Sequence, residues 1–563
     1  MRTLTYSKFT GILLLLFITE IFASGGLVYS KNGMVVSASE LASQVGVEIL
    51  KNGGNAIDAA VATGFALAVT YPSAGNIGGG GFMVIHLSSG KNTTIDFREK
   101  APSKAHSNMF LDEDGNYDPQ KSLKQWSAAG VPGTVAGLID ALDKYGTMEL
   151  EQVIQPAIEI AENGFHLDYW LCTSINNFNE EFNQYHASQR IFTNEGDSLF
   201  EGQKFQQKDL AKSLLAIKEN GAAGFYTGEV ADLIISASDK YGGYFTMQDL
   251  IDYEPIEREP VSGNYKEYEV IGMPLPSSGG ICIQQILSVF QKFEFDEDDF
   301  GSSDYIHTLT EIFKHVYADR SNYLGDTDFV DVPIDYLLSD TRVDEIFSQI
   351  GENAKPSEEI EHDVSMLYEG NETTHYSVVD AYGNAVSTTV SINSSYGSKI
   401  VVDGTGFLLN NHMDDFTAKI GEKNQFGLVG SEANKIEPSK RMLSSMSPTI
   451  VLKQNKPVLV LGSPGGSMII TSVLQVMLNV LNFGMDIREA INAPRFHHQW
   501  LPDQIVYEKF GFSKDILNAL EEKRHNLKET NIIGRVEGIF IDNKNQIIWG
   551  SSDKRGYGKA IGY

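Results

Sequence analysis

The chain has 563 residues, 42% of them hydrophobic, and no long low-complexity tract. That is ample for a large buried core, and on length alone allows roughly two to four domains. The formal net charge of −30 repels phosphate backbones and anionic lipid heads, so nucleic acid and membrane surfaces are excluded as expected partners.

Residues 1–29 read as a secretory signal with an approximate boundary. Arg2 and Lys8 precede a short apolar run, Gly11 to Ile21, and small residues follow at Ala23 to Gly26. Glu20 interrupts the run, which is too short to cross a bilayer comfortably. No cysteine sits near the cleavage region to carry a lipid. The expectation is an exported protein, periplasmic or extracellular, with no membrane span once the signal is removed. Export permits a disulfide between Cys172 and Cys282, the only cysteines; two isolated buried thiols are the other reading.

A helix is expected from Ser39 to Leu50, ended by Asn52, Gly53 and Gly54, and an alanine-rich one from Ala56 to Val69. Its small residues on every side suit a helix packed closely all round. The glycine run Gly75 to Gly81 lacks the spacing of a phosphate loop and reads as tight backbone packing beside a site. Turns at 130–134 and 274–280 each precede a helix. The acidic run Phe293 to Phe300 lacks the spacing and glycine of a calcium loop and reads as solvated. After Thr373 the texture turns to strands: Thr374–Val379 with Ala385–Val390, Thr449–Lys453 with Pro457–Leu461, and a last hairpin, Gly538–Ile541 with Gln546–Trp549. A long helix runs from Met468 to Leu481. Strands together with helices flanking predict stacked layers, sheets between helices, with the part after Thr373 at the centre of one unit.

Most nucleophile motifs are missing: there is no GxSxG and no papain-like or caspase-like cysteine. HExxH and CxxC are absent, and adjacent His497 and His498 would face opposite ways on a strand, so no metal is expected. What remains is a set of hydroxyls, glycines and an acidic–amide stretch, all after residue 370. The segment Asn371 to Asp380 (NETTHYSVVD) resembles the processing site of the gamma-glutamyltranspeptidases. Similar matches follow in the family's order: LLNNHMDDF from Leu408, RMLSSMSP from Arg441, GSPGGS from Gly462 and NAPRFHHQW from Asn492. DFREKAP from Asp96 and the glycine run match in the first half.

The resemblance implies an N-terminal-nucleophile hydrolase: an α+β fold, a four-layer αββα sandwich, from a precursor that cuts itself between Glu372 and Thr373. The subunits would be 30–372 and 373–563, held together as a heterodimer. Read alone, Thr373 is a β-branched residue opening a strand; the resemblance makes it the nucleophile. Its hydroxyl would first attack the Glu372 carbonyl. The freed α-amine, with an ordinary pKa near about 8, would then stand beside that hydroxyl as a candidate base.

Ser391 stands where the family has a supporting threonine and keeps the hydroxyl without the rotamer-fixing methyl. Gly465 and Gly466, just before a helix, would offer N–H groups to an oxyanion. Arg98 would hold the substrate α-carboxylate, assisted by Ser444 and Ser445. Asp415 would pair with the α-ammonium, held apart from Arg98, with Asn393 as a neutral acceptor; Asp414 should point elsewhere. His412 replaces a glutamine or glutamate and would accept from the ammonium only while neutral, so binding should weaken below a pKa of about 6.5. The segment 419–435 matches a lid, with Phe426 where a tyrosine is common.

The implied activity is cleavage of γ-glutamyl amides such as glutathione, with transfer to water or to an amino-acid or dipeptide acceptor. No cofactor is implied. Two readings compete: a cephalosporin-acylase-like or poly-γ-glutamate-processing relative, and an exported amino-acid-binding protein.

Overall fold

The computed structural model describes residues 27–360, 373–417 and 431–563. The signal run, Glu372 and Phe426 lie outside these residues. Two seven-stranded sheets, antiparallel throughout, form the centre. The first runs, edge to edge, Lys559–Gly562, Met34–Ser37, Thr374–Val379, Ala385–Ser391, Gly80–His86, Asn92–Phe97 and Ile256–Arg258. The second runs Val28–Ser30, Ile547–Ser552, Glu537–Asp542, Lys456–Gly462, Thr449–Lys453, Tyr268–Gly272 and Val261–Tyr265.

Side-chain alternation sorts each strand between two cores. In the first sheet, Met34, Val36, Phe82 and Val84 join the core shared with the second sheet. Val35, Met83, Ile85, Tyr376 and Val378 join the core under the outer helices. Those helices include Glu40–Lys51, Ala56–Thr70 and Thr134–Tyr145. Gly279–Phe290, Ser303–Tyr323 and Met468–Leu481 cover the second sheet. This is the expected αββα stack.

Local chemistry explains the elements that hold the site. The Ala56–Thr70 helix starts at a capping box, Asn55 with Asp58, and all its residues are buried. Its small side chains allow neighbours to approach closely: a Cβ on Gly46 of the adjacent helix would meet Thr63 Oγ1 at 2.3 Å. The 374–379 and 385–391 strands form the hairpin that the sequence predicts, and Thr374 pairs with Val390. The glycine run differs in part from expectation, since Gly80 and Gly81 are already strand. Cys172 and Cys282 are both free thiols in separate cores.

Strands that precede residue 361 and strands that follow residue 372 alternate within one sheet. Thr374–Val379 has Met34–Ser37 on one side, and Ala385–Ser391 has Gly80–His86 on the other.

Candidate active site

Thr373 enters the first sheet at a buried end, 5% exposed. Antiparallel pairing of Thr374 with Val390 brings Ser391 opposite it, and the Thr373 hydroxyl donates to Ser391 Oγ at 3.4 Å. Ser391 Oγ also accepts from the Asn393 backbone N–H at 2.9 Å. Its carbonyl accepts from Asn76 Nδ2 at 3.1 Å. Asn76 Oδ1 in turn takes the Gly79 N–H and the Thr134 hydroxyl, both at 2.8 Å. A Cβ on Gly79 would meet the Ser391 carbonyl at 2.2 Å, so the run packs tightly beside Thr373, as expected.

Behind Thr373 the space between the sheets is polar. His375 contacts Thr389 Oγ1 at 2.9 Å and Ser377 Oγ at 3.0 Å. Burial holds this imidazole neutral, lowering its pKa to about 3. A Cβ on Gly462 would meet its ring at 2.4 Å.

From Ser391 a continuous run of contacts crosses to Arg98. Asn393 has φ of 76°, a conformation asparagine tolerates better than most residues, and its Nδ2 donates to the Asn411 carbonyl at 2.9 Å. The next residue, His412, lies 2.7 Å by Nδ1 from Glu99 Oε1. A carboxylate can only accept, so Nδ1 carries the proton and the lone pair of neutral His412 is on Nε2. Glu99 Oε2 accepts from Arg98 Nη1 at 3.3 Å, and Arg98 Nη2 pairs with Asp415. Arg98 Nε donates to the Met442 carbonyl at 3.3 Å, two residues before Ser444.

Arg98 and Asp415 are therefore in direct contact rather than held apart. Arg98 is fully buried, and an ion in that position is costly unless it is paired. One guanidinium faces two carboxylates, leaving a negative excess that an ammonium would balance. Asp414 turns away, as expected, and accepts from the Tyr117 hydroxyl at 2.7 Å.

Ser444 Oγ accepts from the Met446 N–H at 3.2 Å, and Ser445 Oγ from Arg320 Nη2 at 2.8 Å. Each hydroxyl that accepts in this way keeps its own proton to donate. Gly465 and Gly466 have φ of 134° and 57°, values that favour glycine, immediately ahead of the Met468–Leu481 helix. Their carbonyls accept from Met468 and Ile469. Neither of their N–H groups donates a hydrogen bond among the described residues.

Three participants escaped the sequence reading. Glu99 lies inside the DFREKAP match and bridges Arg98 to His412. Arg320 comes from the long Ser303–Tyr323 helix and carries no local signal. Asn434 lies in the segment compared to a lid; it donates to the Asp415 carbonyl at 2.7 Å and accepts from the Leu443 N–H at 3.0 Å. Far from Thr373 in sequence, His307, Glu311 and His525 come within ligand distance of one another. Partners inside the protein already use these groups: His307 Nδ1 lies 2.7 Å from His525 Nε2, and Lys314 lies 2.9 Å from Glu311.

The family model described as Gamma-glutamyltranspeptidase matches residues 42–563. The chain belongs to the gamma-glutamyltranspeptidase family. Within it, the chain is 51% identical over 530 residues to the glutathione hydrolase proenzyme of Escherichia coli, covering 94% of this chain and 91% of that protein. It is 39% identical to the glutathione hydrolase proenzyme of Bacillus subtilis, covering 94% and 92%. Among solved structures, cephalosporin acylase from Bacillus halodurans superposes with a TM-score of 0.85 at 28% identity, covering 98% of this chain and 99% of that one. A Helicobacter pylori gamma-glutamyltranspeptidase chain gives 0.57 at 48% identity, covering 58% and 94%. The gamma-glutamyltranspeptidase stack of layers is thus shared with an acylase, while sequence identity is higher to the glutathione hydrolases.

Proposed function

We propose that this protein is a self-processing gamma-glutamyltransferase and glutathione hydrolase. The observation that carries the reading is the contact run from the Thr373 hydroxyl to the buried Arg98–Glu99–Asp415 group. It joins a nucleophile to a site charged for an amino-acid head group. The 51% identity to a glutathione hydrolase proenzyme supports the same substrate class.

In this reading the chain cuts itself before Thr373, giving a large subunit, 30–372, and a small one, 373–563, that stay together. The Thr373 hydroxyl then attacks the γ-carbonyl of the substrate, with its own α-amine taking the proton. Ser391 holds the hydroxyl in line, and the Gly465 and Gly466 N–H groups receive the developing oxyanion. The amine half leaves, and water or an acceptor amine resolves the γ-glutamyl ester.

The substrate carboxylate engages Arg98 with help from Ser444 and Ser445, while its ammonium meets Asp415, Asn393 and His412. The signal run suits export, and no helix among the described residues is long and apolar enough to cross a membrane. The cephalosporin-acylase alternative is supported at the level of fold, at 28% identity, and lacks a reason for the buried Arg98–Asp415 group.

Intact-protein mass spectrometry during turnover of glutathione tests the reading. Two chain masses are expected, the smaller one transiently heavier by a single γ-glutamyl group. A single full-length mass that turns nothing over would favour an amino-acid-binding protein and overturn the proposal. His412 supplies a second test. With Nδ1 held by Glu99, Nε2 is the atom left to accept from the ammonium, so His412→Phe should raise the Michaelis constant for the donor; an unchanged constant would remove His412 from the ammonium site.

A further inference from the structure

The long Ser303–Tyr323 helix carries His307 and Glu311 four residues apart, on one face. Both are buried, 3% and 1% exposed, and both reach the turn that follows the Lys514–Glu522 helix. There His525, 6% exposed, brings Nε2 to 2.7 Å from His307 Nδ1. One ligand atom from each of His307, Glu311 and His525 lies within 4.8 Å of the other two.

Hydrogen bonding fixes which atoms can bind. His307 Nε2 lies 2.8 Å from the Gly351 carbonyl, which can only accept, so Nε2 carries the proton and Nδ1 the lone pair. A backbone carbonyl holding the far nitrogen is how a metal-binding histidine is oriented. His525 Nε2 then donates to His307 Nδ1. Burial, with Lys314 adding to it, lowers the His525 pKa to about 2, and burial lowers that of His307 too. Neutral imidazole is the form that ligates. Glu311 Oε2 accepts from the Lys355 N–H at 3.0 Å. Buried Oε1 makes no hydrogen bond among the described residues and is only ion-paired, to Lys314 at 2.9 Å. Lys314 has two other partners, the Lys355 carbonyl at 2.8 Å and Asp503 at 3.3 Å. Two carboxylates, Glu311 and Asp503, thus face one ammonium, and a further cation would balance the excess.

We propose that His307, Glu311 and His525 form a binding site for a divalent transition-metal ion such as zinc. Two imidazoles and one carboxylate suit zinc and its neighbours, whereas calcium and magnesium take oxygen ligands. Binding replaces the contact between the rings. The ion takes the lone pairs of His307 Nδ1 and His525 Nε2, and the single ring proton of His525 passes to its Nδ1. Nitrogens on one tetrahedral ion stand about 3.3 Å apart at bonds of about 2.0–2.1 Å, so the 2.7 Å contact opens by roughly 0.6 Å. Glu311 Oε1 is the third ligand, releasing Lys314 to its other two partners, and water fills the fourth position. The ion ties the Ser303–Tyr323 helix to the C-terminal part of the chain, whatever the chemistry at Thr373.

The test uses the full-length protein without an affinity tag, treated with a chelator, incubated with zinc and dialysed. Elemental analysis should then find about one zinc per chain, and His307→Gln and His525→Gln should each lose it. Glutamine can still hydrogen-bond at either place, so both variants should fold, which circular dichroism checks. Should either fail to fold, Glu311→Gln keeps the shape, removes the anionic ligand and should lose the zinc as well. Zinc should raise the melting temperature of the native protein by a few degrees and leave the variants unmoved. Co²⁺ in its place should give the visible absorption of a four-coordinate ion, and excess calcium should not displace it. Zinc retained equally by the variants, no retention and no melting shift in the native protein, or displacement by calcium would each overturn the assignment.

Discussion

Thr373→Ala should run as one full-length band on a denaturing gel where two are expected of the native protein, and its turnover of γ-glutamyl substrates should fall at least about a thousandfold. The same oxygen is assigned to both reactions, so one substitution removes both. A thousandfold loss is about 4 kcal/mol of transition-state stabilisation, within the range for deleting a nucleophile. Folding should survive, since alanine fits within the space of threonine and the hydroxyl contact to Ser391 is a long 3.4 Å. Circular dichroism and a melting curve close to the native one are the control. Two bands from this variant would place the cut, and the nucleophile, elsewhere.

Arg98→Gln should raise the Michaelis constant for the donor about a hundredfold and also destabilise the protein. Glutamine leaves the Glu99 and Asp415 carboxylates without their cation, and Glu99 is fully buried. Removing one partner of a buried pair costs about 3–5 kcal/mol, with less lost at Asp415, which is partly exposed. Arg98→Lys should recover much of the stability but little of the binding, because an ammonium cannot reproduce the flat fork of donors. Denaturant melts and donor titrations on both variants separate the two effects. An unchanged Michaelis constant in Arg98→Gln would remove Arg98 from the substrate site.

Local pattern was enough for the hairpin 374–391, the helix 468–481 and the alanine-rich helix, because period and turn residues specify each within a short window. Local pattern did not group Arg98, His412 and Asp415; the resemblance to the family did, through motifs met in the family's order. What it could not supply was who touches whom. The pairing of Arg98 with Asp415, with Glu99 behind it, depends on two segments more than 300 residues apart meeting at full burial. Arg320 reaches Ser445 from a helix whose own sequence reads as packing alone. A cavity bordered by Thr373, Trp170 and Tyr557 is likewise assembled from segments far apart in the chain, and no window contains it.

The alternation of strands from either side of residues 361–372 has a consequence for assembly. If the bond before Thr373 is cut, the products are two chains laced through one sheet, not two lobes resting on a common face. Pulling one out would break edge pairings on both sides of the 374–391 hairpin at once and open both cores, so dilution alone has no partial route to follow. The order of events is then constrained: a loop closed while the chain was continuous sets the register, and cleavage removes the tether afterwards. A melted pair would have to find that register again as separate molecules, so a protein cut there would depend for its shape on a connection it had lost.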